Sequence, residues 1–121
     1  MEYLQIRGTG ALRGETAVSG AKNAALPILA ACVLCRGPCV LYNCPDIADV
    51  ETTLAILRTL GAKAERCGAA VVVDASGLTE TNVPAVLAAR MRSSVLFAGA
   101  LLAAAGRASI PLPGGCPLGE R

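Results

Sequence analysis

Residues 49–74, DVETTLAILRTLGAKAERCGAAVVVD, decide how the chain folds. In the first half Val50, Leu54, Leu57 and Leu60 recur every three or four residues, so a helix over 50–60 gathers them on one face. Asp46 or Asp49 can cap its start by accepting from the free N–H groups of the first turn. Gly61 follows the last apolar position, where a residue without a side chain ends a helix at least cost. The hydrophobic period then shortens to two: 63–66 and 71–74 read as strands joined by a turn at Cys67-Gly68. A helix that runs straight into a hairpin is the closing half of an α/β unit, and the opening half should lie upstream.

Upstream, 39–42 reads as a brief strand behind the Gly37-Pro38 break. Before it an Ala- and Leu-rich run from 21 to about 34 has the composition of a mostly buried helix, with Pro27 expected to bend it or end its first turn. Residues 3–7 and 15–18 alternate in character across the Gly8-Thr9-Gly10 turn signal and are expected to pair as a hairpin. Counted from residue 15 the order is β-α-β-α-β-β, a self-contained unit. Beyond the polar connection at 79–82, a helix from about 93 to 105 and a strand over 108–112 begin a second unit that is only partly present. The fold class is α/β. No low-complexity linker divides 1–121, which is expected to form a single domain.

The hydrophobic fraction of 54% with only 2% aromatic residues implies a packed core built from Ala, Val, Leu and Ile. A net charge of +2 carried on scattered basic residues excludes the footprint of a nucleic-acid binder but leaves small anions open. The apolar run after Arg92 stops at Arg107 and the earlier one is broken by Pro27, Arg36 and Pro38, short of the ~20 residues a membrane helix needs. The first six residues lack a secretory pattern, so the cytoplasm is the expected location and reduced thiols the expected state of Cys32, Cys35, Cys39, Cys44, Cys67 and Cys116. The cluster from Cys32 to Cys44 fits no standard metal spacing and the chain has no histidine. Cys32 and Cys35 lie in an apolar helical pattern, where cysteine acts as a small hydrophobe.

Two loops break the apolar monotony. Ser19-Gly20-Ala21-Lys22-Asn23 opens a helix, where free N–H groups and a lysine together favour phosphate or carboxylate. A solvated first-turn lysine is the plainer reading when Lys22 is taken alone. Pro113-Gly114-Gly115-Cys116 follows a strand, and paired glycines let the backbone approach a ligand while leaving the thiol unshielded. With Arg121 nearby Cys116 can serve as nucleophile or, if kept protonated, as general acid; a turn cysteine without function is the alternative. Arg90 and Arg92 flank Met91, and a guanidinium there can grip phosphate or join a surface ion pair. Arg58, Lys63, Glu65 and Arg66 read as an ordinary solvated face.

Taken together, Ser19-Gly20-Ala21-Lys22-Asn23-Ala24-Ala25-Leu26-Pro27, Asp49-Val50, Leu60-Gly61-Ala62, Met91-Arg92 and Leu112-Pro113-Gly114-Gly115-Cys116 closely resemble the UDP-N-acetylglucosamine enolpyruvyl transferase family along nearly the whole chain. The sister 5-enolpyruvylshikimate-3-phosphate synthases share the fold but have another lysine motif and lack the cysteine loop. The resemblance implies transfer of the enolpyruvyl group of phosphoenolpyruvate to the 3-hydroxyl of UDP-N-acetylglucosamine, with release of phosphate and without a metal or organic cofactor. It implies that Lys22, Asn23 and Arg121 meet phosphoenolpyruvate and that Asn23, Arg92 and Arg121 meet the UDP-sugar. Cys116 would be the loop cysteine that protonates the enolpyruvyl methylene and reacts with the epoxide fosfomycin.

Members of that family are several times longer and fold as two inside-out α/β barrels of three β-α-β-α-β-β units each. The resemblance therefore makes 1–121 an incomplete amino-terminal domain, one unit and part of another, not expected to catalyse the reaction alone. Strands 3–7 and 15–18 belong in the family to the domain completed by the carboxyl-terminal half, and here they are expected to want partners. Two other readings remain open at this level: a non-catalytic module that binds a nucleotide sugar or anion, and a metal staple at Cys32 to Cys44 supporting a small core.

Overall fold

In the computed structural model the described residues are 2–114. Three elements build a small sheet: β1 (Cys39–Leu41), β2 (Lys63–Cys67) and β3 (Ala70–Asp74), in the order β1-β3-β2 with both pairings antiparallel. The helices are α1 (Lys22–Ala31), α2 (Ala48–Thr59), the single-turn α3 (Ala85–Ala88) and α4 (Leu96–Ala105). Short 3₁₀ turns at Cys32–Leu34 and Arg92–Val95 extend α1 and lead into α4.

The 49–74 stretch folds as its pattern requires. Val50, Leu54, Leu57 and Leu60 are all fully buried, and the inner sheet face adds Ala64, Val71 and Val73. Register explains the alternation: Val73 faces Cys39 and Ala64 across its two ladders, while Val72 between them turns outward. At the end of α2 the Gly61 N–H donates to the Arg58 carbonyl and the Ala62 N–H to that of Leu57, a paired closure that uses two otherwise orphaned acceptors. Gly61 has φ +100°, and a β-carbon there would stand 2.5 Å from the Gly77 carbonyl oxygen, so glycine is required twice over.

The core is completed by α1 and α4, whose Leu29, Phe97 and Leu101 are buried against α2 and the sheet. Pro27 lies inside α1 without ending it. Its missing N–H removes the partner of the Asn23 carbonyl, but Asn23 is exposed and water can take that place.

Several expectations need correction. Residues 3–7 and 15–18 form no strands; Tyr3, Leu4, Ile6 and Val18 are at least 80% exposed, because an isolated hairpin buries too little to hold and no sheet edge among the described residues meets it. Neither Asp46 nor Asp49 caps α2: the N-cap is Ile47, without a side-chain bond, and Asp49 sits in the first turn beside Glu51, where the helix dipole favours it. The expected strand over 108–112 is one parallel bridge, Asn82 to Ser109; the next donor in line would be residue 111, and Pro111 has no N–H to extend the ladder. The short α3 escapes the hydrophobic period because it has one turn. Arg66 does not belong to a solvated face. It projects from the inner side of β2, donating from Nε to Glu51 Oε1 at 2.7 Å and from its terminal nitrogens to the Cys44 and Pro45 carbonyls at 3.2 and 3.0 Å.

Candidate functional site

Lys22 is the first residue of α1, and helix geometry leaves the N–H groups at that end without intrahelical partners. Asp49 lies in the first turn of α2, and the two helices pack so that their amino-terminal turns meet: Lys22 Nζ donates to Asp49 Oδ2 at 2.9 Å. The third wall comes from residues 90–93. Ser94 fixes that turn, with no exposed surface and its hydroxyl donating to the Met91 carbonyl at 3.0 Å. Met91 is buried beneath it, within 3.7 Å of the Thr53 hydroxyl from α2, so its neighbours Arg90 and Arg92 are held outward at the rim.

These walls enclose an open cleft of about 400 Å³, lined by Lys22, Asn23 and Leu26 from α1, Asp49 from α2, and residues 90–93. Three cations, one amide and one carboxylate face the same space. Such a set suits a ligand with more than one anionic group, since two guanidinium planes and an ammonium can each engage a different oxygen.

The expected glycine loop begins beside this cleft. The Gly114 N–H donates to the Ala88 carbonyl at 3.0 Å, the same oxygen that closes the turn at Met91. A β-carbon at Gly114 would run into the Ala89 backbone, so only glycine allows this approach directly behind Arg90. The loop cysteine Cys116 and Arg121 lie outside the described residues. Of the residues expected at the site, Lys22, Asn23 and Arg92 are thus brought together. Arg90, read in the sequence with Arg92 as a guanidinium able to grip phosphate or join a surface ion pair, joins them, and Asp49 and Ser93 are additions that sequence reasoning missed. Asp49 carried a signal, standing in one of the resembling motifs, but a carboxylate before an apolar run reads first as a helix cap.

The other cysteines form no comparable site. Burial pushes the Cys32 thiol up to about 12, with the nearby Cys39 adding to the rise. Burial likewise raises Cys44, against the opposing pull of Arg66, whereas the exposed Cys35 is raised chiefly by its hydrogen bond with Cys39. Among the described residues no three histidine, cysteine or acidic side chains gather as metal ligands.

Comparison with known proteins gives a consistent set of relatives. The family model described as EPSP synthase (3-phosphoshikimate 1-carboxyvinyltransferase) matches residues 6–121. UDP-N-acetylglucosamine 1-carboxyvinyltransferases are similar over the whole chain, at 49% identity in Desulfatibacillum aliphaticivorans, 50% in Dichelobacter nodosus and 47% in Serratia proteamaculans. The chain spans 29% of the length of each of these curated relatives. Among solved structures, the enolpyruvyl transferase NikO from Streptomyces tendae superposes with a TM-score of 0.68 at 32% identity, covering 73% of this chain and 21% of that one. The four helices and small antiparallel sheet are therefore part of the α/β fold of enolpyruvyl transferases.

Proposed function

Because the chain belongs to the EPSP synthase (3-phosphoshikimate 1-carboxyvinyltransferase) family, we propose that it serves the transfer of an enolpyruvyl group from phosphoenolpyruvate to the 3-hydroxyl of UDP-N-acetylglucosamine, a step of peptidoglycan synthesis. The observation that carries this choice of acceptor is the 47–50% identity, over every residue of the chain, to UDP-N-acetylglucosamine 1-carboxyvinyltransferases. The cleft supports it. Phosphoenolpyruvate presents a phosphate and a carboxylate close together, and Lys22 with Arg90 offers separate cations to both, while Arg92 stands beside them for the UDP-sugar.

In this reading Lys22 and Asn23 hold phosphoenolpyruvate, Asn23 and Arg92 meet the UDP-sugar, and Arg121 adds a cation to both. The sugar 3-hydroxyl yields its proton to a base beyond this span as its oxygen bonds to C2 of the enolpyruvyl group, and the methylene gains a proton from the Cys116 thiol. Loss of phosphate with a methyl proton then restores the double bond. The 121 residues supply binding groups and the proton donor, and turnover draws on further groups in the length that the relatives have beyond this span.

The test is covalent labelling. Incubation with fosfomycin followed by peptide mass spectrometry should find one adduct, at Cys116, whose yield rises when UDP-N-acetylglucosamine is present. UDP-sugar binding without selective labelling of Cys116 in folded protein would favour a non-catalytic nucleotide-sugar module instead.

A further inference from the structure

The Lys22–Asp49 pair poses a question that the proposed function does not answer. Lys22 is the ammonium best placed to meet an anion in the cleft, yet a carboxylate of the same chain already holds it at 2.9 Å. Stability does not explain the arrangement. The side chains are 53% and 31% exposed, and an ion pair so open to solvent contributes little to folding. Nor is Asp49 free to drift: its carbonyl accepts from the buried Thr53 hydroxyl at 2.8 Å, and the same hydroxyl touches Met91 between the two arginines. The backbone that carries the carboxylate is thus tied to the wall that also positions Arg90 and Arg92, and the carboxylate itself is held by Lys22.

An anion entering the cleft must therefore compete with Asp49 for Lys22. A small ion that engages the ammonium alone gains about what it displaces and stays out. A ligand with two anionic groups gains a flanking arginine as well, and can take the ammonium from Asp49. We propose that Asp49 is a specificity-determining residue: it occupies Lys22 in the empty cleft and so discriminates against simple anions in favour of those that reach a flanking arginine, Arg90 or Arg92, at the same time. The assignment rests on the reading of the cleft as the phosphoenolpyruvate site.

The chain's two lysines, Lys22 and Lys63, make the test internally controlled. Lys63 is exposed on β2, away from the cleft. Acylation with neutral N-acetoxysuccinimide, read by mass spectrometry as the Lys22 to Lys63 ratio, should rise several-fold in Asp49→Asn. Calorimetric titration should show inorganic phosphate binding several-fold tighter to Asp49→Asn than to the unaltered protein, with a smaller change for phosphoenolpyruvate, so that the preference between them narrows. Asp49→Ser, which keeps a short polar residue in the first turn, should behave alike and stands in if the asparagine variant does not fold. An unchanged acylation ratio, or weaker phosphate binding in the variants, would overturn the assignment. Failure of phosphoenolpyruvate to bind either protein, with the acylation contrast intact, would overturn the proposed function and with it the specificity role, leaving only the occupation of Lys22 by Asp49.

Discussion

Gly61 and Cys32 show how much a single residue carries in this fold. At Gly61 both the backbone conformation and the space are closed to other residues, with φ +100° and the Gly77 carbonyl oxygen 2.5 Å from any β-carbon. Gly61→Ala should cost about 2–3 kcal/mol, seen as a lower midpoint in urea with little change in slope. Cys32 carries a pH dependence. Its thiol ionises at about 12 in the folded protein against an ordinary 9.0, because burial disfavours the thiolate. Below pH 9 its contribution to stability is whole. As pH rises from 9.0 toward about 12 the unfolded chain releases a proton that the native chain retains, so stability falls across that window. Cys32→Ala should flatten this alkaline limb in melts followed by circular dichroism. Alkylation at pH 8 should modify the exposed Cys35 and Cys67 well before the buried Cys32 and Cys44.

Among the elements, α2 organises the molecule: one face fills the core, and its first turn sends Asp49 to α1 and Glu51 to β2. Leu57, fully buried on that face, should cost about 2–5 kcal/mol when cut to alanine, measured by denaturant unfolding. The β2–β3 hairpin is tied to α2 and the 43–45 loop through Arg66, whose side chain is 17% exposed. Arg66→Met keeps the stem but strands two carbonyls, and should destabilise by about 2 kcal/mol, with earlier hydrogen exchange at the Cys44 amide, which donates to the Ala69 carbonyl. The helix and the hairpin were legible from periodicity and turn chemistry alone. The clamp between them was not, because a charged residue reads as solvated even where alternation sets it on the same side as Ala64, and only the surrounding carbonyls make that inner position tolerable.

At the scale of the whole molecule, apolar surface is unevenly covered. Residues 2–19 are exposed throughout and make no strand. Trypsin at low ratio should cut first after Arg7 and Arg13, leaving a core that begins near residue 14 and melts as the intact chain does. Early cleavage after Arg58 or Arg66, inside α2 and β2, would contradict the packing described. A further apolar strip, with Ile28, Leu34 and Leu102 each more than half exposed, lies along α1 and α4.

By itself the sequence determined the α/β class, the helix and hairpin of 49–74, the helical course after Lys22, and the motifs that mark the family, because periodicity, turn residues and motif spacing are local properties. It also named Lys22, Asn23 and Arg92 as partners in one site, through resemblance rather than geometry. Only the tertiary structure decided that Asp49 faces Lys22 instead of capping its helix, that Arg66 turns inward, and that Gly114 docks behind Arg90. Each of those outcomes depends on which distant backbone or charge lies opposite. The two expected amino-terminal strands failed for the same reason: alternation gives a segment two faces, but a strand exists only where another edge completes its hydrogen bonds.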